Sequence, residues 1–573
     1  MRRFRPGSPG SLGRLEGPLS EKTRARVHFG LDRPETRDFG GRLPVALAVP
    51  GDAALALSAL GWQAAWRLLT ENPALAVERM FCRPDRPPAA EDSGLPLARF
   101  PVVAFSLCYE EDYLPVAAAL VAAGIPLRAE ARPDFPIVMG GGPLSFINPA
   151  PILPALDLLY VGEAEAGLAE VMDRLRRAAL AGADKAACLA AVAGLPGVLA
   201  PGRSKTPVAR TVARCAEAPA VLAEPVHSCF VSGHAAFRDM FLVEINRGCP
   251  YGCRFCAAGY VYRPPRQARL ADLQSLIEDV SPRKVGLVGT ALTDWPDLLP
   301  FLGWLKARGT KFSLSSIRAD GVTPELLSVL REAGLRTLTL ALEAPSDRLR
   351  RAANKRLSVE ALLRAVSLAG KHGVNHLKFY LIVGWPGEDA ADFEALSPLL
   401  ARIAEAASIG VGKRGVAHAT LSVNPLVPKP ATPMQWAPMA SEAAIEAAYA
   451  RVRAAAKPLK GFKVEVENAS AARLQGLLAR GDAALFGLVE KALEAGSFRR
   501  ALKTWDGDVA AYLDRDRPRD EVFPWDVVDV GVSRDFLWRE WERYREGVPT
   551  AKCPAGGCGD CRRCGVYAPG GKG

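Results

Sequence analysis

The sequence lacks a long uninterrupted hydrophobic run. Its longest apolar stretch, residues 43–62, is broken by Pro50, Gly51 and Asp52. That interruption favours a strand, a turn and a helix over a membrane-spanning helix. The basic amino-terminal segment also lacks the apolar core of a signal peptide. We therefore expect a cytoplasmic protein without a membrane partner.

Histidine is scarce, at 6 of 573 residues, whereas cysteine occurs 12 times. In a reducing cytosol we expect these cysteines to be metal ligands or buried thiols rather than disulfides. Those without ligand spacing are interpreted as packing residues, and they are Cys82, Cys108, Cys188, Cys215 and Cys229. The remaining cysteines form two close groups.

The bulk composition is that of an ordinary globular protein, with 49% hydrophobic and 24% charged residues. A chain of 573 residues is long enough for three or more domains. The net charge of +11 permits a nucleic acid or another polyanion as a partner. The arginines are scattered along the chain, however, which favours an ordinary solvated surface.

The first cysteine group has the spacing CxxxCxxC. It consists of Cys249, Cys253 and Cys256, with the aromatic Phe255 directly before the last cysteine. Three thiolates so close together can bind three irons of a 4Fe–4S cluster and leave the fourth iron open for a substrate or cofactor. Zinc is the alternative, but a zinc site usually has further cysteines or histidines nearby, and none is close.

The second cysteine group lies in the glycine-rich tail. Cys553, Cys558, Cys561 and Cys564 have the spacing C-x4-C-x2-C-x2-C. Such a tail has no core into which cysteines can pack. A second 4Fe–4S cluster with four protein ligands and a structural zinc site both fit this spacing. The CxxCxxC portion favours iron–sulfur over zinc, and an unoccupied tail is the third alternative.

Short apolar strands alternate with helices through most of the chain, which predicts an α/β protein. In residues 41–175 this alternation indicates a doubly wound, Rossmann-like domain with an open parallel sheet. Gly140, Gly141 and Gly142 follow its third strand directly. They are therefore expected at the carboxyl edge of the sheet, where such folds bind ligands.

A second alternating region occupies residues 239–440, and each of its six strands ends in polar or glycine residues. The strand at residues 241–246 ends just before the first cysteine group, where α/β barrels keep their chemistry. The other predicted segments are a flexible extension (1–40), a linker with a small strand pair (176–238), a helical region (441–547) and the cysteine-rich tail (548–573).

The CxxxCxxC string resembles the radical S-adenosylmethionine (SAM) superfamily in its spacing, its aromatic residue and its position after a strand. The amino-terminal region is similar to the branch that carries a cobalamin-binding domain, through SALGWQ, GGGP and VGEAEAG. The likeness to an uncharacterised subfamily of this branch, with a carboxy-terminal cysteine cluster, runs from about residue 17 onward. It implies a partial (β/α)6 barrel that is open at one side.

The resemblance implies that Cys249, Cys253 and Cys256 are catalytic. Their cluster would cleave SAM reductively to a 5′-deoxyadenosyl radical. Cofactor contacts are implied at the strand ends, where a carboxylate can accept ribose hydroxyls and glycine lets the backbone approach the purine. Besides Phe255 they are Gly289, Thr290, Ser316, Arg318, Glu343, Ser346, Gly384 and Glu388. Ordinary alternatives exist, since Glu388 could cap the next helix and a glycine after a strand is common turn chemistry.

The resemblance also implies cobalamin in the amino-terminal domain, with Gly140, Gly141 and Gly142 among its contacts. The Asp-x-His-x-x-Gly loop of histidine-ligating cobalamin domains is absent, because no histidine occurs between His28 and His227. Any bound cobalamin would therefore lack a histidine lower ligand. The alternative is a Rossmann-like remnant that only shapes the substrate cleft.

The function that the resemblance implies is cobalamin-dependent radical methylation of an unactivated carbon, with a reductase, flavodoxin or ferredoxin as electron donor. A radical cyclase or rearrangement enzyme is the alternative, since such enzymes share the same fold and cofactors. A methylthiotransferase-like modifier of RNA or protein is a further alternative, although the amino-terminal cysteine triad of those enzymes is absent. A non-enzymatic electron-transfer protein is disfavoured by the intact CxxxCxxC.

Overall fold

The computed structural model describes most of the chain, and none of the helices in that part is both long and apolar enough to cross a bilayer. The described residues are 27–29, 39–215, 218–315, 317–410, 415–554, 558, 561 and 563–566. Most of the predicted extension and one predicted cofactor contact, Ser316, lie outside them. The short strand β1 (His28–Phe29) pairs in parallel with Phe230–Val231.

The amino-terminal domain is built on a six-stranded sheet. Its strands are β2 (Leu43–Val49), β3 (Leu75–Phe81), β4 (Val102–Ser106), β5 (Ile137–Gly141), β6 (Leu158–Tyr160) and β7 (Val198–Leu199). The spatial order is β3-β2-β4-β5-β6-β7, and β7 alone is antiparallel to its neighbour. The strand order reverses at β2, because β3 lies on one side of it and β4 on the other. Doubly wound sheets bind ligands in the crevice at such a reversal, which here lies between β2 and β4. The predicted Rossmann-like fold is confirmed.

Both faces of this sheet are buried, which explains its nearly continuous apolar strands. Alternate residues of β2 point to opposite faces, so Val45 and Leu47 pack in one core and Ala46 and Ala48 in another. The connecting helices are α1 (Ala53–Ala56), α2 (Leu60–Thr70), α3 (Tyr113–Ala122), α4 (Leu168–Leu180) and α5 (Lys185–Val192). Since α4 and β7 extend beyond residue 175, the sheet domain continues into the predicted linker.

The barrel domain consists of a three-stranded and a four-stranded parallel sheet. A parallel bridge between Ile317 and Leu340 joins the two. The strands are β10 (Phe241–Glu244), β13 (Lys284–Val288), β14 (Lys311–Leu314), β15 (Thr337–Glu343), β16 (His376–Val383), β17 (His418–Pro425) and β18 (Phe462–Val466). The helices between them are α6 (Leu270–Val280), α7 (Leu298–Ala307), α8 (Pro324–Glu332), α9 (Asp347–Ala352), α10 (Val359–Lys371), α11 (Ala390–Ala406) and α12 (Glu442–Ala456).

β18 is an addition to the six predicted barrel strands, and it lies in the region that was predicted to be helical. It pairs with β17 in parallel, and its residues alternate between half-buried and exposed. Its sequence FKVEV alternates apolar and charged residues as a half-buried strand does, but five residues between two long helices are a short signal. Pairing at the edge of the sheet makes it a strand.

The carboxy-terminal region packs on both domains. Its helices are α13 (Ala469–Arg480), α14 (Phe486–Ala495), α15 (Phe498–Ala501), α16 (Val509–Leu513) and α17 (Arg534–Glu546). Leu477, Phe486 and Trp541 belong to the same core as Phe105 of β4 and Trp385 of the barrel. Short pairings complete the frame, namely β1 with β9 (Phe230–Val231), β8 (Val208–Ala209) with β19 (Val528–Asp529), and β11 (Asn246–Arg247) with β12 (Arg266–Gln267).

Candidate active site

The cysteine loop begins directly after the first barrel strand. β10 and β11 lead to Gly248, which has a positive φ of 78°. A Cβ at this position would lie 2.3 Å from the carbonyl oxygen of Tyr262. Glycine is therefore required by both the backbone conformation and the close approach. The chain turns sharply ahead of Cys249 as a result.

This loop brings Cys249, Cys253 and Cys256 into one small cluster with Tyr251 and Ala291. The Cys256 amide donates a hydrogen bond to the Cys253 carbonyl oxygen at 3.1 Å. Among the described residues, no three His, Cys, Asp or Glu side chains are arranged around a single metal ion. A 4Fe–4S cluster makes a different demand, because each thiolate binds a separate iron.

Burial raises the pKa of all three thiols, to about 12 for Cys249 and about 11 for Cys253. The thiolate forms are unfavourable here because they lose hydration and repel one another. The nearby cations Lys355 and Arg318 offset part of that cost at Cys253. Bound iron would supply further positive charge, so these buried thiols fit a cluster.

Glu343 and Lys355 form a buried ion pair beside the cysteines. The Lys355 Nζ lies 2.8 Å from Glu343 Oε1, and their side chains are 10% and 13% exposed. Glu343 ends β15 at a register irregularity and has a positive φ of 70°. Such a conformation is uncommon for a residue with a Cβ and is found more often at functional sites. Lys355 had no recognisable motif in the sequence.

Arg318 lies over the aromatic ring of Tyr251, with 3.7 Å between its guanidinium carbon and the ring centroid. It also donates hydrogen bonds to Asp320 at 3.0 and 2.8 Å. The Tyr251 hydroxyl in turn donates to Asp294 at 3.0 Å. Arg318 thus contacts the cysteine loop through the face of Tyr251, and its predicted contact with the cofactor stays a prediction.

Gly289 and Thr290 connect the end of β13 to the start of the cysteine loop. The Thr290 hydroxyl donates to the Gly248 carbonyl oxygen at 2.8 Å, and its amide donates to Asn246 Oδ1 at 2.7 Å. A Cβ on Gly289 would lie 2.6 Å from the same Asn246 oxygen. Both residues position the loop, and Asn246 is a positioning residue that the sequence did not single out.

Ser346 acts as a helix cap in this structure. Its hydroxyl oxygen accepts a hydrogen bond from the Leu349 amide at 3.1 Å and donates one to Asp392 at 2.5 Å. Asp392 also accepts from Arg348. The side chain of Ser346 is buried, so its role is to connect the start of α9 to α11.

Glu388 closes the turn after β16. Its Oε2 accepts a hydrogen bond from the Gly384 amide at 2.6 Å, and Gly384 has a positive φ of 78°. The helix cap of α11 is Asp389, so Glu388 does not have the capping role that was its alternative. Within the described residues, Oε1 of Glu388 is buried without a hydrogen-bond partner. Burial raises the pKa of Glu388 to about 7.

Phe255 connects the cysteine loop to this turn. Its ring packs edge-on against Trp385, with the centroids 5.3 Å apart. Trp385 in turn stacks on Tyr544 of α17, at 6.4 Å. Contacts of this kind are favourable and directional. The three rings thus connect the cysteine loop to the turn after β16 and to α17 of the carboxy-terminal region.

Gly140 and Gly141 are the last two residues of β5 and only Gly142 follows it, which corrects the prediction that all three come after the strand. Gly140 and Gly142 pack closely against Leu107, directly after β4. A Cβ on Gly140 would lie 2.9 Å from the Leu107 side chain, and one on Gly142 would lie 2.7 Å from the Leu107 carbonyl oxygen. Internal packing therefore accounts for these two glycines. A Cβ on Gly141 would have no atom nearer than 3.9 Å. In the following turn the fully buried Ser145 hydroxyl has no hydrogen-bond partner among the described residues.

Glu163, in the loop after β6, connects the two domains. It forms ion pairs with Arg266 at 2.6 Å, Arg247 at 2.9 Å and Arg210 at 3.3 Å. Burial alone would raise the pKa of Glu163, but the hydrogen bond from Arg266 and the three positive charges lower it to about 2. Arg247 directly precedes the Gly248 turn, so this carboxylate holds the sheet domain against the cysteine loop.

The tail cysteines also lie against this loop. Cys553, Cys558, Cys561 and Cys564 line one pocket together with loop residues that include Arg263. Cys558 and Cys564 are buried, and the other two are partly exposed. The structure therefore brings all four predicted ligands together.

The fold and the cysteine loop agree with two comparisons of sequence. Residues 61–201 match the family described as radical SAM proteins, N-terminal, and residues 243–399 match the radical SAM superfamily. The chain belongs to the radical SAM superfamily. Within it, the chain is similar to the uncharacterized protein MJ0966 of Methanocaldococcus jannaschii, with 30% identity over 415 residues, 71% of this chain and 84% of that protein.

Two solved structures with bound cobalamin are similar to part of this chain. The radical SAM methyltransferase TsrM from Kitasatospora setae, with cobalamin and a 4Fe–4S cluster bound, has a TM-score of 0.45 and 14% identity, covering 70% of this chain and 80% of its own. OxsB with aqua-cobalamin bound has a TM-score of 0.40 and 16% identity, covering 63% and 52%. The bound groups are properties of those proteins.

Proposed function

We propose that this radical SAM enzyme is a cobalamin-dependent methyltransferase that modifies an unactivated carbon. The supporting observation is the contact between the ligand edge of the doubly wound sheet and the cysteine loop. Glu163 bonds to Arg247 and Arg266 across this junction, and Phe146 packs edge-on against Tyr262 at 5.4 Å. A methyl carrier at that edge would lie next to the SAM site.

In this proposal Cys249, Cys253 and Cys256 would hold a 4Fe–4S cluster through their three thiolates and leave one iron open for SAM. The bound 4Fe–4S cluster supplies the electron that breaks a carbon–sulfur bond of SAM, giving methionine and the 5′-deoxyadenosyl radical. The free Oε1 of Glu388 is available to accept a hydrogen bond from the nucleoside.

Cobalamin, when bound, would carry the methyl group. Gly141 leaves space at the sheet edge, and the buried Ser145 hydroxyl is available for a polar group. Tyr109, after β4, exposes 59% of its surface in the same crevice and offers an aromatic face. These residues fit a flat ligand with polar side groups, and the chain offers cobalt no histidine there.

The first test is anaerobic reconstitution with iron, sulfide and hydroxocobalamin, followed by metal analysis and incubation with SAM and dithionite. We expect bound cobalt, 5′-deoxyadenosine, and S-adenosylhomocysteine that forms only when cobalamin is present. S-adenosylhomocysteine is the product that remains when SAM donates its methyl group. Formation of 5′-deoxyadenosine without cobalt binding would overturn the methyltransferase proposal and leave a radical enzyme of another kind.

Cys253→Ala tests the radical centre itself. Because one iron loses its ligand, we expect 5′-deoxyadenosine formation to fall to background and the barrel cluster to be lost from the optical spectrum. Cys215→Ala is the matched control, since it removes a thiol outside both cysteine groups. Undiminished SAM cleavage by Cys253→Ala would show that the radical arises elsewhere.

A further inference from the structure

The four tail cysteines line a pocket. Among the described residues, no three His, Cys, Asp or Glu side chains, the tail cysteines included, are arranged around the position of a single metal ion. Four thiolates around one zinc ion leave almost no central space, because Zn–S bonds are about 2.3 Å long. A 4Fe–4S cluster with four thiolate ligands occupies a cavity. The pocket is lined by Cys553, Cys558, Cys561 and Cys564, by Gly252, Tyr260 and Arg263 of the cysteine loop, and by Phe536, Glu540 and Thr550.

A buried cation stands at this pocket. Arg263 is 5% exposed, and its guanidinium donates to the Gly259 carbonyl oxygen at 2.6 Å. Its side chain lines the pocket together with Cys553 and Cys564. Hydrogen bonds and charge near the sulfurs set the reduction potential of an iron–sulfur cluster. Arg263 is therefore placed to stabilise an anionic centre and to tune it.

The pocket is connected to the radical centre by a short path. The Cys553 amide donates a hydrogen bond to the Pro250 carbonyl oxygen at 2.8 Å, and Pro250 is bonded to Cys249. A second connection runs through Asn354, which accepts from the Thr550 amide and donates to the Gly252 carbonyl oxygen, both at 3.0 Å. One hydrogen bond and one peptide unit thus separate a tail ligand from a barrel ligand.

Three exposed cations lie near the tail pocket, and one of them, Lys552, is 3.7 Å from Asp294. Arg539, Lys552 and Arg563 are exposed there, and the Arg563 guanidinium is held by the Ala551 carbonyl oxygen at 2.9 Å. Positive patches of this kind steer the docking of negatively charged proteins. The charge favours an acidic one-electron donor as the partner at this surface.

We propose that the tail cysteines hold a second 4Fe–4S cluster that relays electrons from an acidic, low-potential donor protein to the barrel cluster. The donor is oxidised as it reduces the tail cluster by one electron. Transfer to the barrel cluster restores the oxidised tail cluster, and the barrel cluster passes the electron to SAM as the carbon–sulfur bond breaks. This relay rests on the proposed radical function.

The test compares the wild type with Cys558→Ala/Cys561→Ala, using reconstituted full-length protein. We expect about eight irons per chain in the wild type and about four in the variant, with one of two reduced-cluster signals lost by electron paramagnetic resonance. SAM cleavage driven by a reduced ferredoxin or flavodoxin should fall about tenfold or more, whereas cleavage driven by dithionite, which needs no docking surface, should change less than about twofold. Cys215→Ala should behave as the wild type.

Cys561→Ala alone serves as a second variant, since Cys561 is partly exposed and its loss costs the fold little. Four irons and one zinc per wild-type chain would overturn the second cluster. An unchanged ferredoxin- or flavodoxin-driven rate in a variant that has lost its tail iron would overturn the relay. If wild-type protein cleaves no SAM with dithionite, the radical function fails, and the iron count and the spectrum still decide the tail cluster.

Discussion

At the residue scale, Glu388 is a buried carboxylate of the candidate site with incomplete hydrogen bonding. One carboxylate oxygen accepts from the Gly384 amide at 2.6 Å, while the other is buried without a partner among the described residues. Desolvation makes its charged form unfavourable and raises its pKa to about 7. The motif in the sequence placed Glu388 near the cofactor, but it could not reveal this free oxygen.

Glu388→Gln tests this interpretation through the pH dependence of stability. The native state holds a proton that the unfolded state loses above its ordinary pKa near 4.5. As the pH rises from about 4.5 to about 7, the free energy of unfolding of the wild type should therefore fall relative to that of the variant, by at most about 3 kcal/mol. Thermal unfolding of both proteins across this range measures the difference. A parallel pH dependence of the two curves would contradict the raised pKa.

At the element scale, the strands and helices that the sequence predicted are those with a strong periodic or continuous apolar pattern. β2, β4 and β16 are of this kind. β18 was missed because it is only five residues long between two helices, although Lys463 and Glu465 alternate with apolar residues as in a half-buried strand. Its pairing with β17 depends on a sheet edge that forms only in the folded barrel. The motif VGEAEAG was noticed as a family likeness, whereas its physical role is the contact of Glu163 with three arginines of other segments.

Glu163→Gln tests the junction between the sheet domain and the cysteine loop. The variant leaves Arg210, Arg247 and Arg266 without their shared carboxylate, so we expect a loss of about 3–5 kcal/mol at pH 7. The pKa of Glu163 is about 2, so the wild-type advantage is present above about pH 4.5 and is lost as the pH falls towards 2. Denaturant unfolding at pH 7 and below pH 4 measures both effects.

Glu165→Gln is the matched control for this junction. Glu165 pairs with Arg247 at 2.8 Å, but its side chain is 24% exposed, against 3% for Glu163. We expect its loss to cost no more than about 1 kcal/mol. Equal losses from the two variants would contradict the central role of Glu163.

At the scale of the whole molecule, the carboxy-terminal helices complete the sheet domain. Asn148, after β5, donates to the carbonyl oxygens of Ala479 and Gly481 at 3.0 and 2.8 Å. Lys429, of the segment after β17, pairs with Glu110 after β4. The core that contains Phe105 therefore includes three regions of the chain. A nucleic-acid partner and a cytoplasmic location stay predictions from composition.

An isolated fragment of residues 39–215 tests this architecture. Without α13 and α14, the fragment would expose apolar residues of the shared core, including Phe105 of β4 and Tyr113 and Leu120 of α3. Exposed apolar patches of that size promote association. We expect the fragment to bind a hydrophobic dye and to elute as aggregates, unlike the full chain. A monodisperse fragment that does not bind the dye would show that the sheet domain is independent.

The sequence by itself determined the two cysteine groups, the alternation of strands and helices and the radical SAM class. These depend on spacing between neighbours in the chain, where three cysteines within eight residues, Cys249 to Cys256, already limit the ligand geometry. Only the tertiary structure decided the partners of Glu163, the Glu343–Lys355 pair and the position of the tail cysteines beside Pro250. Those contacts join segments far apart in the chain, and packing of the folded domains sets them rather than any local pattern.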